Sequence, residues 1–317
     1  MMVEKKILLL DTIHLIFVER VQQAGFICID GTRWSDEKVL GEVHLYTGIV
    51  IRSRFTIDLS FIEKATELKF IARAGAGVEH LDLEMLNSKG IAVITAPEGN
   101  RDAVGEHAVG MLLCMLNNIS RADRQVGVGE WIREANRGVE LGGKTVGIIG
   151  YGNTGKAFAK RLSGFNVEVL AYDKYLSGYG DKYVKETQLK EIFEKADILS
   201  LHIPLTSETR YMVNDEFIKS FTKNIYIINC ARGLIIHTSA LVKHLKAGKI
   251  AGAALDVLEY EDQSFEKFSP PKGNPDADYL FHSDKVILTP HIAGWTFESY
   301  RKIAEVLAEK VVGLSKD

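Results

Sequence analysis

Residues 145–173 constrain this chain more than any other stretch. An apolar run, Val146 to Ile149, leads into Gly150-Tyr151-Gly152-Asn153-Thr154-Gly155. An amphipathic run, Lys156 to Leu162, follows, and a second apolar run, Val167 to Tyr172, ends at Asp173. The G-x-G-x-x-G spacing is weak by itself; strand, glycine turn, helix, strand and terminal acid in that order make it a dinucleotide-binding βαβ unit. The first glycine permits the tight turn, the second lets backbone approach a pyrophosphate, and the third lets helix pack on strand. The pyrophosphate then meets the unpaired N–H groups of a helix N-terminus. Asp173 would accept hydrogen bonds from the adenosine ribose hydroxyls and repel a 2′-phosphate, which predicts NAD rather than NADP, although Lys174 beside it works against that preference. A glycine turn that merely closes a βα unit is the plainer reading, and the acid at 173 counts against it.

A length of 317 residues predicts two domains, since single cores usually stop growing at about 250–300 residues. With 46% hydrophobic and 26% charged residues the composition is that of an ordinary soluble protein. A net charge of −3 offers no electrostatic footprint for nucleic acid or an anionic membrane. Cys28, Cys114 and Cys230 lie far apart without C-x-x-C or metal-ligand spacing, so neither a disulfide framework nor a metal site is expected, and a reducing compartment fits. The N-terminus lacks a cleavage site, Asp11 and His14 interrupt its apolar run, and no stretch reaches the 18 or so apolar residues of a membrane span. The expected location is the cytoplasm.

Residues 5–97 alternate short apolar runs rich in β-branched residues (KKILLLD, FICID, LYTGIVIR, FIARA, IAVITA) with helical patterns, the signature of a parallel sheet built from βα units. Pro97 and the Glu98-Gly99-Asn100 turn are expected to end this domain, with Asn100 or Asp102 capping the next helix. That helix places Val104, Ala108, Met111, Leu112, Met115, Leu116 and Ile119 on one face, a stripe for core or subunit contact. After Asp173 the strands ILSLHIP, NIYIINCA, IAGAALDV and VILTPHIA follow, each with polar residues at its C-terminal end, the edge at which open parallel sheets bind ligands. A last helix runs from Thr296 to about Leu314. The fold class predicted is α/β, with two doubly wound parallel sheets.

Three strand ends beyond the glycine turn offer a cation, a carboxylate and an imidazole: Arg232 after Asn229-Cys230-Ala231, Glu261 five residues after Asp256, and His291 after Thr289-Pro290. Singly each has a bland reading, an arginine capping a helix or a histidine satisfied in structure. Together they suit a 2-hydroxy acid dehydrogenase, which needs a planar guanidinium to hold carboxylate and carbonyl oxygens and an acid/base to deliver a proton as hydride arrives. A carboxylate beside the histidine would orient the ring and balance its positive charge.

The motifs RAGAGVEHLD, NCARGLI, GAALDVLEYE and LTPHIAG, with GYGNTG, resemble the D-isomer-specific 2-hydroxyacid dehydrogenases, most closely their D-3-phosphoglycerate dehydrogenase branch, in a short form lacking the C-terminal regulatory domain. The resemblance spans nearly the whole chain. It implies Arg232 as substrate-orienting cation, His291 as proton donor and Glu261 as its partner. It also implies an NAD site lined by Gly150, Gly152, Asn153, Thr154, Gly155, Asp173, Cys230, Ala231, Arg232 and Asp256, with backbone at Ala76, Ile203 and His291, Ala293 and Gly294. It further implies a Rossmann-type NAD domain, residues 98–292, inserted into a flavodoxin-like substrate domain of residues 1–97 plus 293–317. The active site would lie in the cleft, and the helix from Val104 to Ile119 would help form a homodimer or higher homo-oligomer. The chain departs from the family pattern in three places: His237-Thr238 stands where an acidic pair is usual, Asp262 replaces a proline, and a long polar segment follows Glu261.

The substrate is expected to be a small 2-oxo acid, leading with 3-phosphohydroxypyruvate and 3-phosphoglycerate in serine biosynthesis. Arg52 and Arg54 close one strand of the first domain and Arg73 another, so one sheet edge could present guanidinium groups to a phosphate, a segment that resembles the phosphate contact of bacterial phosphoglycerate dehydrogenases. Loop amides from Gly75, Ala76, Gly77 and Val78 would share the carboxylate with Arg232. Glyoxylate or hydroxypyruvate reduction is the alternative substrate class, and an NAD-sensing binding protein without turnover the alternative of another kind. The segment after Glu261, cut by Pro270, Pro271, Gly273, Asn274 and Pro275, is expected to be a mobile flap or a passive insertion.

Overall fold

The computed structural model describes residues 5–52, 54–79, 81–261, 269–270 and 272–314. The polar segment expected to form a flap lies largely outside them. Of the described residues, those up to Asn100 and from Trp295 onward form one compact unit, and Arg101 to Gly294 form a second. The chain thus leaves the first unit, builds the second and returns.

The first unit comprises β1 (Lys6–Leu9), α1 (Leu15–Gln23), β2 (Ile27–Asp30), α2 (Asp36–Glu42), β3 (Gly48–Ile51), α3 (Leu59–Lys64), β4 (Phe70–Arg73), α4 (Leu83–Ser88) and β5 (Ala92–Ile94). All pairs are parallel in the order β2-β1-β3-β4-β5. The central β3 is buried on both faces, as a sheet covered by helices requires. Ser35, Asp58 and Asp82 cap α2, α3 and α4 by accepting from the N–H groups of Lys38, Phe61 and Met85.

Next comes α5 (Pro97–Leu116), which starts earlier than the sequence suggested. Pro97 opens the helix because its fixed φ suits the first position and its missing N–H would have been unpaired there anyway. Asn100 and Asp102 therefore lie inside α5 rather than at its N-terminal cap, and Asp102 accepts from Arg161 at 3.0 Å. A Cβ on Gly99 would lie 2.6 Å from the Ile303 backbone, so only glycine lets this first turn rest where it does.

The second unit continues with α6 (Ile119–Gly127), β6 (Thr145–Ile149), α7 (Asn153–Leu162), β7 (Glu168–Tyr172), β8 (Lys185–Glu186), α8 (Leu189–Lys195), β9 (Ile198–Leu201), α9 (Asp215–Lys219), β10 (Ile225–Asn229), α10 (Thr238–Lys246), β11 (Ile250–Leu255), α11 (Pro275–His282) and β12 (Val286–Leu288). The seven strands are parallel in the order β12-β11-β10-β9-β6-β7-β8, which reverses at β6, the doubly wound arrangement. Besides α6, which the sequence pattern merges into the end of α5, two elements went unforeseen. The short β8 extends the sheet beyond β7. The helix α11 occupies the end of the segment expected to be loop, because Asn274 accepts from the N–H groups of Asp276 and Ala277, Pro275 fills the first position, and Ala277 and Leu280 are buried.

The Met111, Leu112, Met115 stripe of α5 is core, packed with Val146, Ile148 and Phe158. Exposed apolar side chains lie instead just beyond it, at Ile119, Val126, Val128, Trp131 and Ile132. The final helix, α12 (Phe297–Leu314), returns to the first unit, where Ala304, Leu307, Ala308 and Val311 pack with Ile7, Phe17 and Val21. Thr296 and Ser299 cap it reciprocally, each hydroxyl accepting the other's N–H at 3.0 Å.

Candidate active site

The glycine turn sits where strand order reverses, between β6 and α7. Gly150 has φ +91°, and a Cβ there would lie 2.4 Å from the His202 carbonyl; a Cβ on Gly155 would lie 2.1 Å from the Gly150 carbonyl. Packing demands glycine at both positions. Gly152 differs, since a Cβ there would meet nothing within 4 Å, and no side chain caps α7 behind it. Open space over bare backbone at a helix N-terminus fits a pyrophosphate, so Gly150, Gly152, Asn153, Thr154 and Gly155 would hold that part of NAD. Ile203 packs against Gly150 from the end of β9. Asp173, at the end of β7, accepts from the Tyr151 N–H at 2.8 Å and from those of Tyr175 and Leu176 at 3.0 and 3.1 Å, which fixes its carboxylate beside the turn.

One contributor was missed in the sequence. His202 bridges the Ser200 hydroxyl (2.8 Å) and the Thr154 hydroxyl (3.2 Å) and lies against Phe158, tying the glycine turn to β9. The residue is not wholly enclosed, yet burial pushes the imidazole pKa down to about 3.

Arg232, Glu261 and His291 all follow neighbouring strands at one edge of the second sheet. Asn229 is fully buried at the end of β10; its Oδ1 accepts the Ala231 N–H and its Nδ2 donates to the Arg232 carbonyl, shaping the Cys230-Ala231-Arg232 turn. Burial pushes the Cys230 thiol far up, so it stays a neutral wall. Gly233 has no room for a Cβ, which would lie 2.0 Å from the Leu258 carbonyl, so the arginine turn is pressed against the segment leading to Glu261. His237, which stands where the family usually has an acidic residue, provides no side-chain cap for α10. Glu259 replaces it from across the turn, accepting from the Thr238 N–H at 2.9 Å and from the Tyr211 hydroxyl at 2.8 Å.

His291 Nδ1 lies 2.7 Å from Glu261 Oε2. The turn that carries the imidazole is organised by Asp256, which is 1% exposed. Its Oδ1 accepts from the Thr289 hydroxyl (2.6 Å) and Ile292 N–H (2.8 Å), its Oδ2 from the Ala293 N–H (2.8 Å), and its carbonyl from the His291 N–H (2.8 Å). Burial opposes the charge, but these donors and His107 outweigh it and leave the Asp256 pKa lowered. The Thr289 proton is committed to Asp256, so the 3.0 Å contact between Thr289 and His107 requires the proton on His107 Nε2. His107, on α5, was also missed; its sign in the sequence is an imidazole on a helix otherwise read only for its apolar face.

In the first unit, β3 and β4 end side by side, with Ile51 opposite Arg73. The Arg52 guanidinium stacks 4.2 Å from the Trp295 ring, and Arg73 lies over Gly75. Arg54 does not join them. Its guanidinium donates to the carbonyls of Leu10 (3.3 Å), Gly31 (3.2 Å), Thr32 (2.8 Å) and Trp34, and pairs with Asp36 at 3.5 Å, so it laces the β1 and β2 ends together. The loop from Gly75 to Val78 is held by the Ala96 N–H on the Gly75 carbonyl (2.9 Å), with Ala76 exposed and Gly77 buried.

The doubly wound sheet, with its glycine turn of open backbone and a carboxylate held beside that turn, is that of a dinucleotide-binding α/β protein. Residues 109–293 match the family model described as D-isomer specific 2-hydroxyacid dehydrogenase, NAD binding domain. The chain belongs to that family. It is 36% identical over 311 residues to a D-3-phosphoglycerate dehydrogenase of Methanocaldococcus jannaschii, covering 96% of this chain and 56% of the relative. The chain therefore spans about half the length of that relative. A glyoxylate reductase of Thermofilum pendens is 39% identical over 267 residues, 82% of this chain and 76% of its own. Among solved structures, a D-lactate dehydrogenase of Aquifex aeolicus complexed with NAD and lactic acid superposes with a TM-score of 0.82 at 26% identity, covering 98% of this chain and 97% of its own. Among the described residues, no group of His, Cys, Asp and Glu is arranged to hold a metal ion, and no helix is long and apolar enough to cross a membrane.

Proposed function

We propose that this chain transfers hydride between NAD(H) and a D-2-hydroxy acid or its 2-oxo acid. The observation that carries the reading is the 2.7 Å contact of His291 Nδ1 with Glu261, beside the Arg232 turn and on the sheet that bears the glycine turn. Bound NAD(H) would supply or take up the hydride. Glu261 engages Nδ1 and so orients the ring, which assigns proton delivery at the substrate oxygen to Nε2. Arg232 is the fork for carboxylate and carbonyl oxygens, with the amides of Gly75 to Val78 as further donors. Residues 1–97 and 293–317 are the substrate domain in this reading, and 98–292 the NAD domain.

The substrate pair proposed is 3-phosphohydroxypyruvate and 3-phosphoglycerate, with Arg52 and Arg73 facing the phosphate, in a cytoplasmic homodimer. Resemblance to D-3-phosphoglycerate dehydrogenases supports it. A specific observation favours a second reading, reduction of glyoxylate or hydroxypyruvate: the Arg54 guanidinium is taken up by four carbonyls and Asp36. NADH oxidation against 2-oxo acids with and without a phosphate decides between them. Turnover of phosphohydroxypyruvate well above hydroxypyruvate supports the first reading, the reverse the second, and NADH binding without turnover of any acid would leave an NAD-sensing protein.

A further inference from the structure

Asp173 opposes a 2′-phosphate, and Lys174 beside it is a ready counter-ion. A carboxylate and an adjacent ammonium nearly cancel at the distance of a phosphate, so Asp173 by itself would select weakly. The structure shows where the ammonium goes. Lys174 Nζ lies 2.5 Å from Glu208 Oε2, and the Tyr175 hydroxyl donates to the same oxygen at 2.9 Å. Glu208 is presented by a braced turn after β9: the Thr209 hydroxyl donates to the Pro204 carbonyl (2.7 Å) and accepts the Thr206 N–H (2.8 Å), and the Arg210 N–H meets the Thr206 carbonyl (3.0 Å). Tyr175 and Leu176, the two residues after Lys174, donate their N–H groups to Asp173, so the acid and the lysine are held on diverging tasks within one short segment.

We propose that Glu208 is a positioning residue for cofactor choice: it occupies Lys174, so that the 2′-phosphate of NADP meets a net negative group of side chains. The inference rests on the reading of Asp173 as the ribose acceptor. Lys174 and Glu208 are both about half exposed, so their pair adds little to stability; its effect is on local charge. The bond to Glu208 raises the Lys174 pKa, and the bond from Lys174 lowers that of Glu208, so both stay charged through the neutral range. Replacing Glu208 by an uncharged isostere removes one negative charge and releases the ammonium towards an incoming phosphate. NADH has no 2′-phosphate and gains nothing from this.

The test is equilibrium binding of NADH and NADPH to the full chain by fluorescence titration, which needs no substrate. Glu208→Gln is expected to tighten NADPH about tenfold, the equivalent of roughly 1.4 kcal/mol, while NADH stays within twofold of wild type. The gain should shrink as salt rises through the range where exposed charges are screened. In Lys174→Met/Glu208→Gln it should vanish, which a general loosening of the turn would not produce. An unchanged NADPH affinity in Glu208→Gln, a gain that survives loss of Lys174, or a wild type that binds both cofactors alike overturns the proposal. Asp173→Ala reads the underlying assignment separately: if it leaves the ratio of NADPH to NADH affinity unchanged, the ribose role of Asp173 fails, whatever Glu208 does.

Discussion

His291 holds its backbone at φ +55°, in the left-handed region that residues other than glycine enter at some energetic cost. Asp256 sustains that conformation by accepting from both sides of the turn, so strain at one residue is stabilised by a buried carboxylate 35 positions earlier in the chain. The ring acts mainly on the transferring proton, so His291→Ala should lower kcat by about 10²–10⁴-fold with NADH affinity near wild type. A variant keeping more than about a tenth of wild-type kcat would remove His291 from the role. The arginines of the first unit call for different outcomes. Arg54→Ala strands several buried or half-buried carbonyls and should lower stability by about 2–3 kcal/mol, read as a fall in Tm, without changing substrate preference. Arg52→Ala should raise KM for phosphohydroxypyruvate well above any change for hydroxypyruvate. Equal losses on both acids would detach Arg52 from the phosphate.

At the scale of elements, the glycine turn between β6 and α7 depends on a neighbour that does not belong to its motif. His202, from the end of β9, reaches Thr154 on one side and Ser200 on the other. Its folded pKa, about 3, lies below the ordinary value of about 6.5. Unfolded chains therefore bind a proton that the folded protein refuses as pH falls below about 6.5, and stability decreases from there towards about 3. Between pH 6.5 and 5 this group should remove up to about 2 kcal/mol, in a window above the titration of most carboxylates. His202→Gln cannot titrate and should flatten that part of the stability curve in denaturant melts at a series of pH values. An unchanged slope between pH 6.5 and 5 would show that the imidazole is not shielded from protonation.

For the whole molecule, the apolar side chains left exposed after α5 bear on assembly. Trp131 is 80% exposed, with Val126, Val128 and Ile132 close to it in sequence. Large apolar side chains exposed together in one short segment commonly mark a contact with another chain, whereas the Met and Leu stripe of α5 is buried inside the second unit. A homodimer is therefore expected to use the segment beyond α5. Sedimentation should give twice the chain mass of 35.3 kDa, and Trp131→Glu should shift the equilibrium towards monomer while leaving NADH binding intact. A monomeric wild type at micromolar concentration, or a variant that dimerises as tightly, would locate any assembly elsewhere.

Local pattern alone specified the βαβ unit around Gly150, the alternation of buried strands with helices, and the strand ends bearing Arg232 and His291, because side-chain periodicity and turn chemistry act between residues close in the chain. Strand order, the reversal at β6, and the return of α12 to the first sheet were decided by which apolar faces could cover one another. The helix α11 was legible in Asn274-Pro275 and was obscured by the prolines and glycine just before it. The roles of His107, His202 and Glu259 could not be read from sequence, since each is defined by a partner distant in the chain: Thr289, Thr154 and Thr238. The same holds for Arg54 and Lys174. Sequence placed both beside a binding edge, but an arginine or lysine serves whichever acceptor its long side chain reaches, and only the folded chain put four carbonyls around one and Glu208 against the other.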